Sequence, residues 1–520
     1  LKEETMNNVS VLTVAIVLLF GTTIALAAVW YVHPDSIFNC IQDCLDSCAT
    51  GDTVLVGPGV YYENIIWPNI HGIHLISELG PDATIIDGDS TGRVIGISTG
   101  VGPATLISGF AIRNGYLTNA NECGAGICCE NSSPTITSNV ITSNRINGDA
   151  CGGGIVCLGN SSPIITDNIV SENGGGVHDG VSGGGIACAD SSAPVISDNT
   201  ITENYATVAG GGIYCRNNCT PTITNNFIAD NSTGACMCGW IGGGIACGYG
   251  SAPVITDNTI TGNYANHGGG IGYDNSEPII TGNDITGNTG YCGGGIYCHQ
   301  SSATISNNII SNDTAVWRGG GIYCYECSPT ITGNTVSENV IPLTEIGGGI
   351  VCDGSSPIIS GCIISSNIGE GVYCQPDFWG FVSNPVICHN DIYDNVGFGV
   401  CNVDTTIIVS ADSNWWGDAT GPYHPTANPG GLGDSVSDYV DFDPWLYWPV
   451  GVEEQPIVKP IEQREGLTAT ILRGPLQLPE GKKCRVFDIT GRVVEPRKMA
   501  PGVYFVEIDN EIVQKVIKIR

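Results

Sequence analysis

The middle of the chain repeats one unit. It reads GGGI-x-C, then SSP-x-I-T, then an Asn-bounded x-I-T-x-N, as in Gly210–Asn231, GGGIYCRNNCTPTITNNFIADN. The Ile or Val that follows the glycines marks each copy, from Ile127, Ile155, Ile186 and Ile213 through to Val372 and Val400, at intervals of 22 to 32 residues. Self-similarity at this period means a fold built by stacking, because one unit cannot bury its own apolar side.

Each unit holds short runs that alternate apolar with polar, such as Gly212–Cys215, Thr222–Thr224 and Phe227–Ala229. Gly, Asn and Ser-Pro punctuate them, and none has helical periodicity. Three short strands per turn predict the coil of a parallel β-helix, with each strand pairing with its copies about 4.8 Å above and below. Asn168, Asn199, Asn226, Asn258, Asn283, Asn308 and Asn334 occupy one equivalent turn. Their amides are expected to stack along the axis, and Asn also tolerates the left-handed backbone of a sharp turn.

On these motifs the segment from about Trp30 to Trp448 resembles the right-handed parallel β-helix repeat proteins of the pectate-lyase-like superfold. GDTVLVGPGVYYENI (Gly51–Ile65) and NWWGDATGPYHP (Asn414–Pro425) look like the first and last coils of secreted members. Right-handedness is implied by the resemblance. Ile37, Ile41, Cys44, Leu45 and Cys48 recur at helical spacing, which predicts a helix, capped by Asp35 or Ser36, that lids the first coil.

The residue two after the marker is Cys in nine units: Cys129, Cys157, Cys188, Cys215, Cys247, Cys298, Cys324, Cys352 and Cys374. Tyr273 takes the place once. Period two turns this position inward with the marker, so a column of thiols is expected along the core. There Cys serves as a small apolar filler. Loop pairs, Cys236 with Cys238 and Cys123 with Cys151, are better disulfide candidates.

Val9–Ala28 is a short apolar run ending in small residues, which reads as a signal peptide over 1–28. An N-terminal cap over 29–50, the β-helix over 51–448 and a charged, Pro-containing linker over 449–466 follow. Leu467–Arg520 carries a net charge of +4. Its segments VFDITGR, MAPGVYFVEI and KVIKIR are similar to the C-terminal sorting domain of type IX secretion cargo. That resemblance implies a small β-sandwich over 467–520 that engages secretion machinery. The expected class is therefore all-β: a parallel β-helix solenoid with a capping helix, then a C-terminal β-sandwich, secreted or on the outer cell surface. No membrane span is expected after signal cleavage.

Between Val29 and Val450 there are five Arg, no Lys and 39 acidic residues, a net charge of −34. Such a surface repels nucleic acid and anionic membranes, and favours cations and neutral partners. Tyr205, Trp240, Tyr264, Tyr291 and Trp317 fall in the variable segments before the glycines. Stacked coils would align them, either as a track for the apolar faces of sugar rings or as covers for glycine-rich backbone. Asp167, Asp198 and Asp257 recur before the turn Asn, as solvated turns or as calcium ligands. Adhesion through a polysaccharide or cell-surface glycan is the leading expectation. A polysaccharide lyase or glycoside hydrolase, and a structural spacer, are the alternatives.

Overall fold

The computed structural model describes residues 27–450, apart from 99, 120–121, 148–150, 176–181, 235–240 and 343–344. Within 452–520 it describes 469–472, 476, 478, 484–488, 492–496, 499, 502–508 and 511–518. Residues 1–26 of the expected signal peptide, most of the linker, Trp240, Cys236 and Cys238 lie outside the described residues. The chain divides into two compact units, Leu1–Gly451 and Val452–Arg520.

The first unit is a parallel β-solenoid. Three long sheets of 16, 13 and 13 strands run along it, each strand hydrogen-bonded to its equivalents one coil away. The first sheet begins before the cap, with Val29–Val32 in register with Thr53–Val56. An eight-stranded fourth sheet also forms, from Tyr116–Leu117 to Thr314–Arg318. Its strands lie in the variable segments just after the second Asn of each unit. Several are only two residues long, Arg145–Ile146 and Ser232–Thr233 among them, too short to alternate visibly.

The marker and Cys columns hold their register. Cys129 pairs with Cys157, then Cys188, Cys215 and Cys247; Tyr273 follows, then Cys298, Cys324, Cys352 and Cys374. All nine thiols are free and 0% exposed. They pack with the Ile columns in one continuous core, where a fully buried Ile contributes about 1.5–3 kcal/mol.

Two amide ladders flank that core. In the first, each Asn donates its Nδ2 to the Oδ1 of the next, from Asn139 through Asn168, Asn199, Asn226, Asn258, Asn283 and Asn308 to Asn334, at 2.9–3.1 Å. The second runs from Asn144 through Asn173, Asn204, Asn231 and Asn263 to Asn288. The first Ser of each SSP builds a further ladder: the Ser132 and Ser161 amides donate to Ser161 and Ser192 Oγ at 3.0 and 3.1 Å. The glycine triplet fits tightly between these columns. Gly210 sits at φ 63°, and a Cβ there would lie 2.4 Å from the Ile213 carbonyl; on Gly212 it would lie 2.6 Å from the Gly244 carbonyl.

Asp313 interrupts the second ladder. Its Oδ1 accepts from the Asn288 amide and Nδ2 at 2.7 and 3.0 Å, as an Asn would. Its Oδ2 takes the place of a donating NH2, is fully buried and has no partner. Burial pushes its carboxyl well above the usual range. A raised folded-state value means stability is lost as pH rises from the unfolded value through the folded one. Asp313→Asn is expected to add about 2 kcal/mol at pH 7 and almost nothing near pH 3, measured by urea unfolding at both.

The predicted lid is the helix Ile41–Ser47, whose Ile41, Cys44 and Leu45 are buried. Its start corrects the capping expectation. Ile37 is 92% exposed, and Cys40 stands at the N-cap without a side-chain capping bond to the helix. The Glu63 carboxylate, from the first coil, accepts from the Ile41 and Gln42 amides at 2.8 and 2.9 Å. The cap is thus tertiary, and local spacing could not show it. Among the described residues no helix is long and apolar enough to cross a membrane.

The described part of the second unit is one four-stranded sheet. Ala469–Leu472 pairs parallel with Glu511–Lys518, and the latter pairs antiparallel with Gly502–Ile508. Cys484–Asp488 completes it at the other edge. Val486, Met499, Tyr504 and Val506 form its small core.

Candidate functional site

The position three after the marker carries Glu130, Leu158, Ala189, Arg216 and Gly248 on early coils. On five successive later coils it carries Asp274, His299, Tyr325, Asp353 and Gln375, and the pairing places them in one row. Beside that row, outward-facing Tyr297 and Tyr323 stand on neighbouring coils with ring centroids 5.7 Å apart. They form a cross-strand pair, yet are only 7% and 4% exposed. The segments before the glycines fold back over them: the His267 ring lies 4.7 Å from Tyr297, and Trp317 packs on the same cluster.

The result is a cleft of about 570 Å³. Trp317 makes one wall, stacked on Tyr291 at 5.6 Å, and the Arg318 guanidinium lies 4.0 Å over the Trp317 ring. Arg318 Nη1 donates to Asp353 Oδ2, and the Tyr323 hydroxyl donates to the same oxygen at 2.7 Å. Burial, then the Asp353 charge, raises the Tyr323 phenol far above its ordinary value, so it stays a donor. Arg318 Nε, Asp353 Oδ1 and Asp377 Oδ2 are buried in the cleft and have no partner among the described residues. Native proteins leave few such atoms unpaired, and here three line one cleft.

One rim is an aromatic lip. Between Cys374 and Ser383 the chain carries QPDFWGFV, several residues more than the Cys-to-Ser step of other units. Phe378, Trp379 and Phe381 are 89%, 72% and 61% exposed. The turn that holds them is tied, with Asp377 Oδ1 accepting from the Phe381 amide at 2.6 Å and the Asp377 amide donating to the Phe381 carbonyl at 3.0 Å. Farther out, His299 Nδ1 meets Asp274 Oδ1 at 2.6 Å, and the ring stacks on Tyr325 at 5.1 Å.

A family model described as "Right handed beta helix region" matches residues 83–263, 238–352 and 318–415, which together span well over half of the chain. The chain belongs to this right-handed β-helix family. No curated protein matches it. Among solved structures it is similar to the A-module of the mannuronan C-5 epimerase AlgE4 of Azotobacter vinelandii. That likeness has 11% identity and a TM-score of 0.22, and covers 72% of this chain and 90% of the other.

Within this β-helix the expected aromatic row divides. Tyr205 and Tyr264 share one register column with Ser232 between them, because both pair with that residue. Tyr205 lines a separate depression with Arg145, Glu172 and Glu203. Tyr291 and Trp317 stack beside the main cleft. Trp240 lies outside the described residues. The five do not form one even track, because Tyr264 pairs with Thr289 and that residue with Thr314, which leaves Tyr291 and Trp317 farther along their strands.

Asp167, Asp198 and Asp257 are exposed at φ 56–57°, the left-handed turn position. Asn225 holds the equivalent place between Asp198 and Asp257, so the three carboxylates spread along the axis. No group of three or more His, Cys, Asp or Glu among the described residues is placed to hold a metal ion. Asp and Asn at these positions suit the left-handed backbone of the turn.

Residues missed from the sequence are Arg318, Asp353, Asp377 and the Phe378–Phe381 lip. Two signals were present. From Asp274 onward the position three after the marker is polar or aromatic on five coils in a row, and the repeat lengthens at Pro376–Val382.

Proposed function

We propose that this β-helix is an exported glycan-binding protein, delivered by a type IX-like route through its C-terminal unit and displayed on or released from the cell surface. The observation that carries the binding reading is the cleft, where three unpartnered buried polar atoms stand under aromatic walls. Trp317 and the Phe378 lip offer flat faces to sugar rings. Asp353 Oδ1 and Asp377 Oδ2 accept from hydroxyls, and Arg318 Nε donates to a ring or hydroxyl oxygen. Arg318 is already neutralised by Asp353, and the body is strongly acidic, so the site suits a neutral polysaccharide better than a polyuronate. Export rests on the apolar N-terminal run and the motifs of residues 467–520.

A panel of immobilised polysaccharides tests this reading. Retention on a neutral member is expected, unchanged by calcium chelation and weakly dependent on salt. A second reading has its own support. Asp353 and Asp377 both line the cleft, and glycoside hydrolysis uses two carboxylates. New reducing ends that vanish in Asp353→Asn and Asp377→Asn would establish hydrolysis. A complete blank in both retention and turnover would overturn the glycan assignment.

A further inference from the structure

Far from the cleft, Cys123 and Cys151 stand on adjacent coils with Sγ atoms 3.2 Å apart. Their setting differs from that of the core thiols. The core column is sealed at 0% exposure, whereas Cys123 is half-buried and reachable. Its Sγ accepts from the Cys151 backbone amide at 3.3 Å, so the side chain is aimed along the stacking axis at the next coil.

Two of the five Arg of the body converge here. Arg216 reaches back from a later coil to place Nη2 3.3 Å from Cys151 Sγ. Arg93 donates to the Cys123 carbonyl at 2.7 Å. Cations beside a thiol favour its nucleophilic thiolate form. The hydrogen bond from Cys151, then its amide and the two Arg charges, bring the Cys123 thiol down to about 6 against the opposing effect of burial. Sharing that hydrogen bond, and burial, push Cys151 the other way.

We propose that Cys123 and Cys151 form a thiol–disulfide exchange site, in which Cys123 attacks a low-molecular-weight disulfide and Cys151 resolves the adduct. The Cys123 thiolate bonds to one sulfur of R–S–S–R, the S–S bond breaks, and RS⁻ leaves. Cys151 gives its proton to that thiolate. Its own sulfur then attacks Cys123 Sγ, forming the Cys123–Cys151 bond and releasing the second RS⁻, which takes up the proton originally lost from Cys123. The disulfide is reduced to two thiols, and the pair is oxidised to a bridge between adjacent coils.

The test uses the full chain, first reduced and then freed of reductant, with oxidised glutathione as the probe. Peptide mapping without reduction is expected to find Cys123 joined to Cys151. Cys151→Ser should hold glutathione on Cys123, and Cys123→Ser should leave Cys151 unmodified. Arg216→Gln is expected to slow the first step about tenfold. Far-UV circular dichroism confirms that each variant folds, and Cys151→Ala replaces the serine variant if that one does not. Glutathione found only on Cys40, Cys388 or Cys484, the other half-buried thiols among the described residues, would overturn the proposal. So would an unmodified Cys123 in a folded Cys151 variant.

Discussion

Asn226→Ala is expected to lower the unfolding free energy by about 4 kcal/mol, because it leaves two to three buried groups without partners. Asn226 is 2% exposed. Its Oδ1 accepts from the Asn199 amide and Nδ2, both at 3.0 Å. Its Nδ2 donates to the Ile196 and Thr224 carbonyls and to Asn258 Oδ1. A methyl group replaces none of this, and the coils above and below cannot close the gap while their own strands stay paired. The neighbouring Asn225 is an exposed turn residue at φ 55°. Asn225→Asp keeps a residue suited to that backbone and should change stability by less than about 0.5 kcal/mol. Urea unfolding followed by circular dichroism checks both. Equal effects at the two positions would show that the ladder does not bear on stability.

Trp317→Ala is expected to weaken polysaccharide binding about thirtyfold, on the order of 2 kcal/mol. The indole faces the cleft, stacks on Tyr291 and carries the Arg318 guanidinium over its ring. Its loss removes a platform and frees the Arg318 side chain that Asp353 must hold alone. Tyr205→Ala, in the separate depression, should leave binding unchanged. Affinity electrophoresis on the polysaccharide identified by the panel measures both variants. Unchanged retention with Trp317→Ala would place binding elsewhere.

The sequence shows the columns well and the cleft poorly, for one physical reason. Residues that face the core or a ladder must be the same on every coil, so Ile213, Cys215 and Asn226 recur and can be aligned by eye. Residues of a site must differ from coil to coil, and Arg318, Asp353 and Asp377 therefore look like noise in the repeat. The aromatic positions divide on the same grounds. Tyr291 and Trp317 do sit beside a cleft, but the bulge after Gly290 that brings them together leaves no periodic trace. Tyr297 and Tyr323 hold one repeat position on neighbouring coils, but the repeat does not show their burial, because the covering layer comes from the variable segments. Glu63 capping the helix at Ile41 depends on a contact across 22 residues, which no local motif encodes.

Anomalous diffraction from sulfur tests the stacked register most directly. The account predicts a line of peaks spaced about 4.8 Å apart for Cys129, Cys157, Cys188, Cys215 and Cys247. It predicts a gap at Tyr273, and then a second line for Cys298, Cys324, Cys352 and Cys374. Peaks for these nine sulfurs scattered about no common axis would contradict it.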